Sequence, residues 1–201
     1  MIIDTSKNAE CRVYSGELLH NRFAYKYYKN RTLPHGNIIA FRAPAKVEAE
    51  GMIDLEDLES NDFIYSDDMI HFLYEIPLID NAFGAVCFQR MFNSIIADIL
   101  SVKFLNASIE MKGDDMIVHK PFTQNGVDQL KGKASVSIVH IKNNVALGHT
   151  GINVRAGDKA PVFAFSTNLG DEQIKEYMEA VIATFYALVE DIFIATTKTI
   201  C

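Results

Sequence analysis

The residues of this chain whose types and spacing could do chemistry concentrate between positions 111 and 154. A Lys112-Gly113-Asp114-Asp115-Met116-Ile117 run is followed by Gly132-Lys133-Ala134-Ser135 and then by Gly151-Ile152-Asn153-Val154. Residues 134–141 and 145–154 read as two strands of a hairpin joined by Lys142-Asn143-Asn144. An apolar face must meet an apolar face, because a slip of one residue turns every side chain over. Val136 and Ile138 therefore belong with Thr150, Ile152 and Val154, and the turn must hold an odd number of residues. That register sets Ser137 opposite His149, Ser135 opposite Gly151 and Lys133 opposite Asn153. One face becomes a row of small polar groups ending in a lysine, and Gly151 leaves room for a ligand to approach the backbone. A solvent-facing sheet gives a similar row, but solvent faces carry more charge than this one.

Other residues invite a chemical reading and a plainer one. Arg42 follows an apolar strand at 37–41 and precedes Ala43-Pro44, a position that points into a cleft and suits a phosphate or carboxylate. His71 opens a strand and could act as a base, although a histidine there is more often structural. Asp114 and Asp115 could serve a ligand or cap a tight turn, the commoner job of Gly-Asp-Asp. From Val47 to Gln89 there is no Lys or Arg, while acids recur. That segment reads as a solvated acidic face with a loop at 56–68, or as the seat of a divalent cation beside a phosphate. Cys11, Cys87 and Cys201 have no metal-type spacing and read as ordinary thiols of a reducing cytoplasm. No phosphate-binding glycine loop or dinucleotide fingerprint is present.

The elements that must position these groups follow from periodicity. Phe88, Met91, Phe92, Ile95, Ile96 and Ile99 recur at helical steps, so 84–100 is the clearest helix, with Asp80 or Asn81 as its cap. A final helix starts near Asp171 and buries Ile174, Met178, Val181, Phe185, Leu188 and Ile192. Strands are expected at 71–76, 102–111, 116–119 and 162–166, with a loop at 123–128. An early helix carries Leu18, Leu19, Arg22, Phe23 and Lys26, and Leu33-Pro34-His35-Gly36 is a turn. At 201 residues with no linker or repeat, the chain reads as a single domain spanning 1–201. A net charge of -7 disfavours a phosphate backbone as partner, leaving Arg22, Lys26, Lys29 and Arg31 as a remote nucleic-acid surface. No leader follows Met1, and Glu190 and Asp191 interrupt the apolar stretch at 180–195, so neither secretion nor a membrane span is expected.

The order of the three motifs resembles the second half of a biotin or lipoate protein ligase catalytic domain. There a Lys/Arg-x-x-Asn-Asp-Ile strand start, a Gly-Lys-x-x-Gly segment and a Gly-Ile-Asn-Val strand succeed one another. The chain as a whole resembles a small prokaryotic family described as a domain of unknown function, through Ala40-Phe41-Arg42, the Met52-Ile53-Asp54-Leu55-Glu56-Asp57 stretch, Gly113-Asp114-Asp115 and Lys133-Ala134-Ser135-Val136-Ser137. The resemblance implies an α+β fold: a mixed, mainly antiparallel sheet with helices packed on one side. It also implies activation or transfer of a small carboxylic acid with ATP and Mg2+. Lys133 matches the lysine that contacts acyl carbonyl and α-phosphate, and Asp115 falls where ribose or magnesium is contacted. Arg42, Ser135, Ser137, His149 and Asn153 would line the pocket. Some ligases of this fold pair through their sheets, so the resemblance allows a homodimer. Two departures stand against catalysis: the glycine-rich adenylate loop is missing, and Val136 replaces the second glycine of the lysine segment. The missing loop favours the alternative, a non-catalytic small-molecule or nucleotide binding protein on the same scaffold, and the retained Lys133 favours the enzyme.

Overall fold

A computed structural model describes residues 3–4, 13–20, 24, 36–48, 51–52, 54–55, 59, 63–77 and 79–199. The Arg22–Arg31 basic surface, the turn at 33–35, Cys11, Cys201 and parts of the acidic loop lie outside the described residues. The main sheet has five strands in the order β1-β2-β3-β10-β9. They are β1 (Ile3–Asp4), β2 (Asn37–Val47), β3 (Ile64–Pro77), β9 (Ser135–Lys142) and β10 (Val145–Arg155). Among the described residues of this sheet, β1 and β2 pair in parallel and the other strand pairs are antiparallel. A smaller sheet joins β4 (Ile109–Lys112), β5 (Asp115–Val118) and β8 (Gly132–Lys133). β6 (Phe122–Gln124) and β7 (Val127–Gln129) form a separate hairpin where a loop was expected.

Helices α2 (Ala82–Ile99) and α3 (Asp171–Thr196) cover one face of the main sheet, as the resemblance implied. Asn81 caps α2, its side-chain oxygen accepting from Gly84 N at 2.8 Å. Phe88, Phe92 and Ile96 meet Phe72, Tyr74 and Phe185 in the main core. The buried stripe of α2 also contains Gln89 and Asn93, whereas Met91, expected inside, is 37% exposed. The helical path from 82 to 105 is long and apolar enough to cross a membrane, yet its stripe is core packing. Residues 100–105 continue as a π-helix, so the strand expected from 102 begins only at Ile109. At 162–166 the expected strand is reduced to an isolated bridge between Ala164 and Lys133.

The opposite face of the sheet is covered by the segment containing Tyr14, Leu19 and Ala24, with α1 (Glu17–His20). Burial on both faces explains why the hairpin register departs from expectation. Ser137 pairs with Thr150, Ser135 with Ile152 and Ile138 with His149. The turn is the two-residue Asn143-Asn144, with φ of 52° and 60°, the conformation that favours a tight hairpin. Face matching presumes one wet face and one dry one. Here Leu147 and Ile138 lie in one core while Ala146 and Ile152 lie in the other.

Candidate functional site

The corrected register divides the polar residues of the hairpin between the two faces. Ser137 turns to the helices: its Oγ accepts from Gln89 Nε2 at 2.8 Å and from Asn93 Nδ2 at 3.0 Å. Thr150 Oγ1 donates to Asn93 Oδ1 at 2.8 Å, so the 3.2 Å Ser137–Thr150 contact takes the Ser137 proton. Ser135 Oγ accepts from Met116 N at 2.9 Å, holding β5 against β9. Both serines border the cleft described next, but their hydroxyls are engaged in joining elements together.

A cleft of about 370 Å³ opens between β9, the turn before β5 and the segment around Tyr14. Among the described residues lining it, Lys133 is the one Lys or Arg. Its Nζ lies 2.8 Å from Asp115 Oδ1, with both side chains about a third exposed. Asp115 is the first residue of β5, after a two-residue turn in which Gly113 takes φ of +66°. Asp114 in that turn is held by Arg90 at 3.5 Å and by Gln89 Nε2 at 3.4 Å. The backbone of Asn153 is fixed by its own N donating to Ala134 O at 2.8 Å and its carbonyl accepting from Thr167 N at 3.0 Å. Its side-chain Oδ1 is buried with no hydrogen-bond partner among the described residues. Asn153 therefore sits beside Ala134, one residue from Lys133, rather than directly opposite it.

His149 and Asn153 do share a face, as expected. The His149 ring packs against Tyr14 with centroids 4.1 Å apart and against His71 at 5.3 Å. His149 Nε2 is 3.0 Å from His71 Nδ1, and His71 Nε2 is 3.1 Å from the Ala43 carbonyl. Burial pushes His71 down to about 4, opposed in part by the Ala43 hydrogen bond. Burial and then the neighbouring His71 hold His149 well below the usual histidine range. The space over Gly151 is not open to a ligand, in contrast to expectation. A Cβ there would meet Met69 Sδ at 2.4 Å, Val136 Cγ2 at 3.1 Å and His149 Cε1 at 3.3 Å, so the glycine makes room for these three side chains.

Arg42 is not among the residues lining the cleft. Its Nε donates to Asp68 Oδ1 at 2.7 Å and its NH1 to Asp171 Oδ1 at 2.6 Å, tying β2 to β3 and to the start of α3. Asp68 foremost holds the guanidinium above its ordinary range. The buried guanidinium thus already has two anions, buried Asp68 and exposed Asp171, which balance its charge. Tyr14, Gln89 and Asn93 were missed from sequence. Gln89 and Asn93 carried a legible signal, two amides four residues apart inside an apolar helical stripe; Tyr14 carried none. Among the described residues no group of three His, Cys, Asp or Glu side chains could hold a metal.

The geometry can be set beside known proteins. A protein of unknown function from Pyrococcus horikoshi is 23% identical over 94% of each chain, with a TM-score of 0.73. The Plasmodium (P. falciparum) LipL1 structure in complex with lipoate matches 92% of this chain and 59% of its own, at 14% identity and a TM-score of 0.54. A bi-partite lipoate protein ligase of Thermoplasma acidophilum matches 91% of this chain and 82% of its own, at 10% identity and a TM-score of 0.55. No curated protein matches. The chain thus shares the fold of the lipoate protein ligase. Residues 3–200 match the family described as Domain of unknown function (DUF366), and the chain belongs to that family.

Proposed function

We propose that this chain activates or transfers a small carboxylic acid at the Lys133 cleft, with ATP as co-substrate and Mg2+ as its counter-ion. The reading is carried by one observation: the Lys133 ammonium, paired with Asp115, is the one Lys or Arg among the described residues that line the cleft. In the reaction a carboxylate oxygen of the acid bonds to the α-phosphorus of ATP. The bond from that phosphorus to its bridging oxygen breaks, and pyrophosphate leaves. Lys133 stabilises charge developing on the phosphoryl and carboxylate oxygens, a role worth a factor of about 10²–10³ for one well-placed donor. Asp115 orients that ammonium in the free protein. Mg2+ characteristically takes one or two carboxylates plus phosphate oxygens, and the adjacent Asp114 and Asp115 fit that habit. His149 and Asn153 contact the acid.

The lipoate bound by the Plasmodium relative makes lipoate the first acid to try. Thermal stabilisation by magnesium-ATP is measured alone and with lipoate, biotin, fatty acids or amino acids, since a ligand that binds only the folded chain raises Tm. The expected result is a shift with ATP that one acid enlarges, together with acid-dependent pyrophosphate release that Lys133→Ala abolishes at unchanged Tm. Wild-type turnover in folded Lys133→Ala would sink the assignment. A second reading, a binding protein without chemistry, is favoured by Val136, which lines the cleft where the ligase pattern has glycine. Acid binding without pyrophosphate release would select it.

A further inference from the structure

We propose that the Tyr14 end of the cleft is a hydrogen-bond acceptor subsite in which His149 Nδ1 receives an N–H or O–H from the bound molecule. The selected ligand then carries a donor at the end remote from Lys133. Calling that molecule an acid rests on the function proposed above; the subsite itself rests on the two histidines.

The Ala43 carbonyl can only accept, so His71 carries its proton on Nε2. Both rings are neutral at ordinary pH because burial disfavours their charged forms. His71 Nδ1 is then an acceptor, and His149 Nε2 must be the donor across the 3.0 Å contact. That leaves His149 Nδ1 without a proton. A fixed carbonyl oxygen two rings away sets the tautomer of the ring that borders the cleft.

The ring's orientation follows from its neighbours. Nε2 faces His71 on β3, and Cε1 lies 3.3 Å from where a Gly151 Cβ would stand. Nδ1 is left on the ring edge away from His71, and His149, Val136 and Ile138 all line the cleft. Tyr14 stacks on the face of the ring, at 20° between planes, and so leaves its in-plane lone pair uncovered. No hydrogen bond to this nitrogen is present among the described residues. His149 is 3% exposed and borders the cleft. His149 and Asn153 stand four residues apart on β10, about 13 Å at the usual strand rise. An elongated molecule with its anion on Lys133, whose neighbour Ala134 lies beside Asn153, and a donor on His149 fits that separation. An aliphatic end would leave the imidazole nitrogen desolvated and unpaired.

Long-range proton–nitrogen correlation spectra of the folded chain test this directly. Both His71 and His149 should show the Nε2–H tautomer. Imidazolidinone, a cyclic urea with N–H donors, should move the His149 Nδ1 resonance, and its N,N′-dimethyl derivative should not. Biotin should move it and lipoate should not. His149→Phe keeps the stack on Tyr14 and should abolish any preference for biotin over lipoate. His71→Phe should allow a Nδ1–H population on His149, a change that a purely structural role for His71 would not produce. A protonated Nδ1 in the wild type, or equal responses to imidazolidinone and its dimethyl derivative, would overturn the subsite. If lipoate or octanoate stabilises the chain with ATP while the two ureas behave alike, the subsite fails and acid activation stands. If imidazolidinone alone moves Nδ1 while no acid shifts Tm, the subsite stands and acid activation fails.

Discussion

The two faces of the β9–β10 hairpin use polar residues in opposite ways. On the helix side, Ser137, Thr150, Gln89 and Asn93 close a network in which the Ser137 hydroxyl both donates and accepts. On the other side, Asn153 keeps an unpartnered carbonyl oxygen and the His71–His149 pair ends in an unprotonated nitrogen. A satisfied network fixes how elements meet, whereas unspent bonding capacity in a buried group costs stability until something arrives to use it. Polar character does not separate the two faces, since both are rich in it. The difference lies in which groups have finished bonding.

The largest expected effect falls on the helix side. Arg42→Ala leaves Asp68 buried at 6% exposure, with Arg155 NH2 only at 3.6 Å. Breaking a buried pair from one side costs about 3–5 kcal/mol, and chemical denaturation should read that loss while the cleft still binds its ligand. Retained stability with lost ligand binding would make Arg42 a ligand group after all.

On the cleft side, the histidine pair makes stability depend on pH. The unfolded chain takes up a proton near 6.5, whereas folded His71 does so only near 4. Its contribution is therefore present above pH 6.5 and is lost as pH falls from 6.5 to 4, an amount on the order of 3 kcal/mol for His71. His149 adds to the loss in the same direction. Replacing both rings by phenylalanine should flatten the stability profile over that interval. A wild-type profile no steeper than the variant's would mean that the rings are not buried neutral.

The helices were legible in the sequence because one face of each is dry and the other wet, which leaves a 3.6-residue period. Ile174, Met178, Val181 and Phe185 bury as that period requires. The hairpin register was not legible, because a strand with both faces covered carries no alternation that marks one face as the core. The ion pairs of Arg42 were not legible because its partners lie 26 and 129 positions away. Nothing near Arg42 in the chain distinguishes a ligand-binding guanidinium from a structural one. The same holds for His71 and His149, each visible as a lone histidine but joined across 78 positions. The resemblance gave Lys133 and Asp115 separate roles in one pocket, and the structure sets them 2.8 Å apart, a contact the sequence did not suggest.

Two smaller substitutions set the faces directly against each other. Ser137→Ala removes the acceptor shared by Gln89 and Asn93 and should cost about 1–3 kcal/mol, with ligand affinity little changed. Asn153→Leu should do the reverse. The Asn153 backbone is held by Ala134 and Thr167, so the strand end does not depend on the side chain. Exchanging a buried, unpartnered amide for an apolar group of similar size is close to neutral for stability and can raise it. If the carbonyl oxygen is kept for a ligand, Asn153→Leu holds or gains Tm and loses most of the thermal shift produced by that ligand. If instead Asn153→Leu destabilises as much as Ser137→Ala and leaves the shift intact, the amide belongs to the packing. The distinction between a finished face and an open one would then fail at its most buried point.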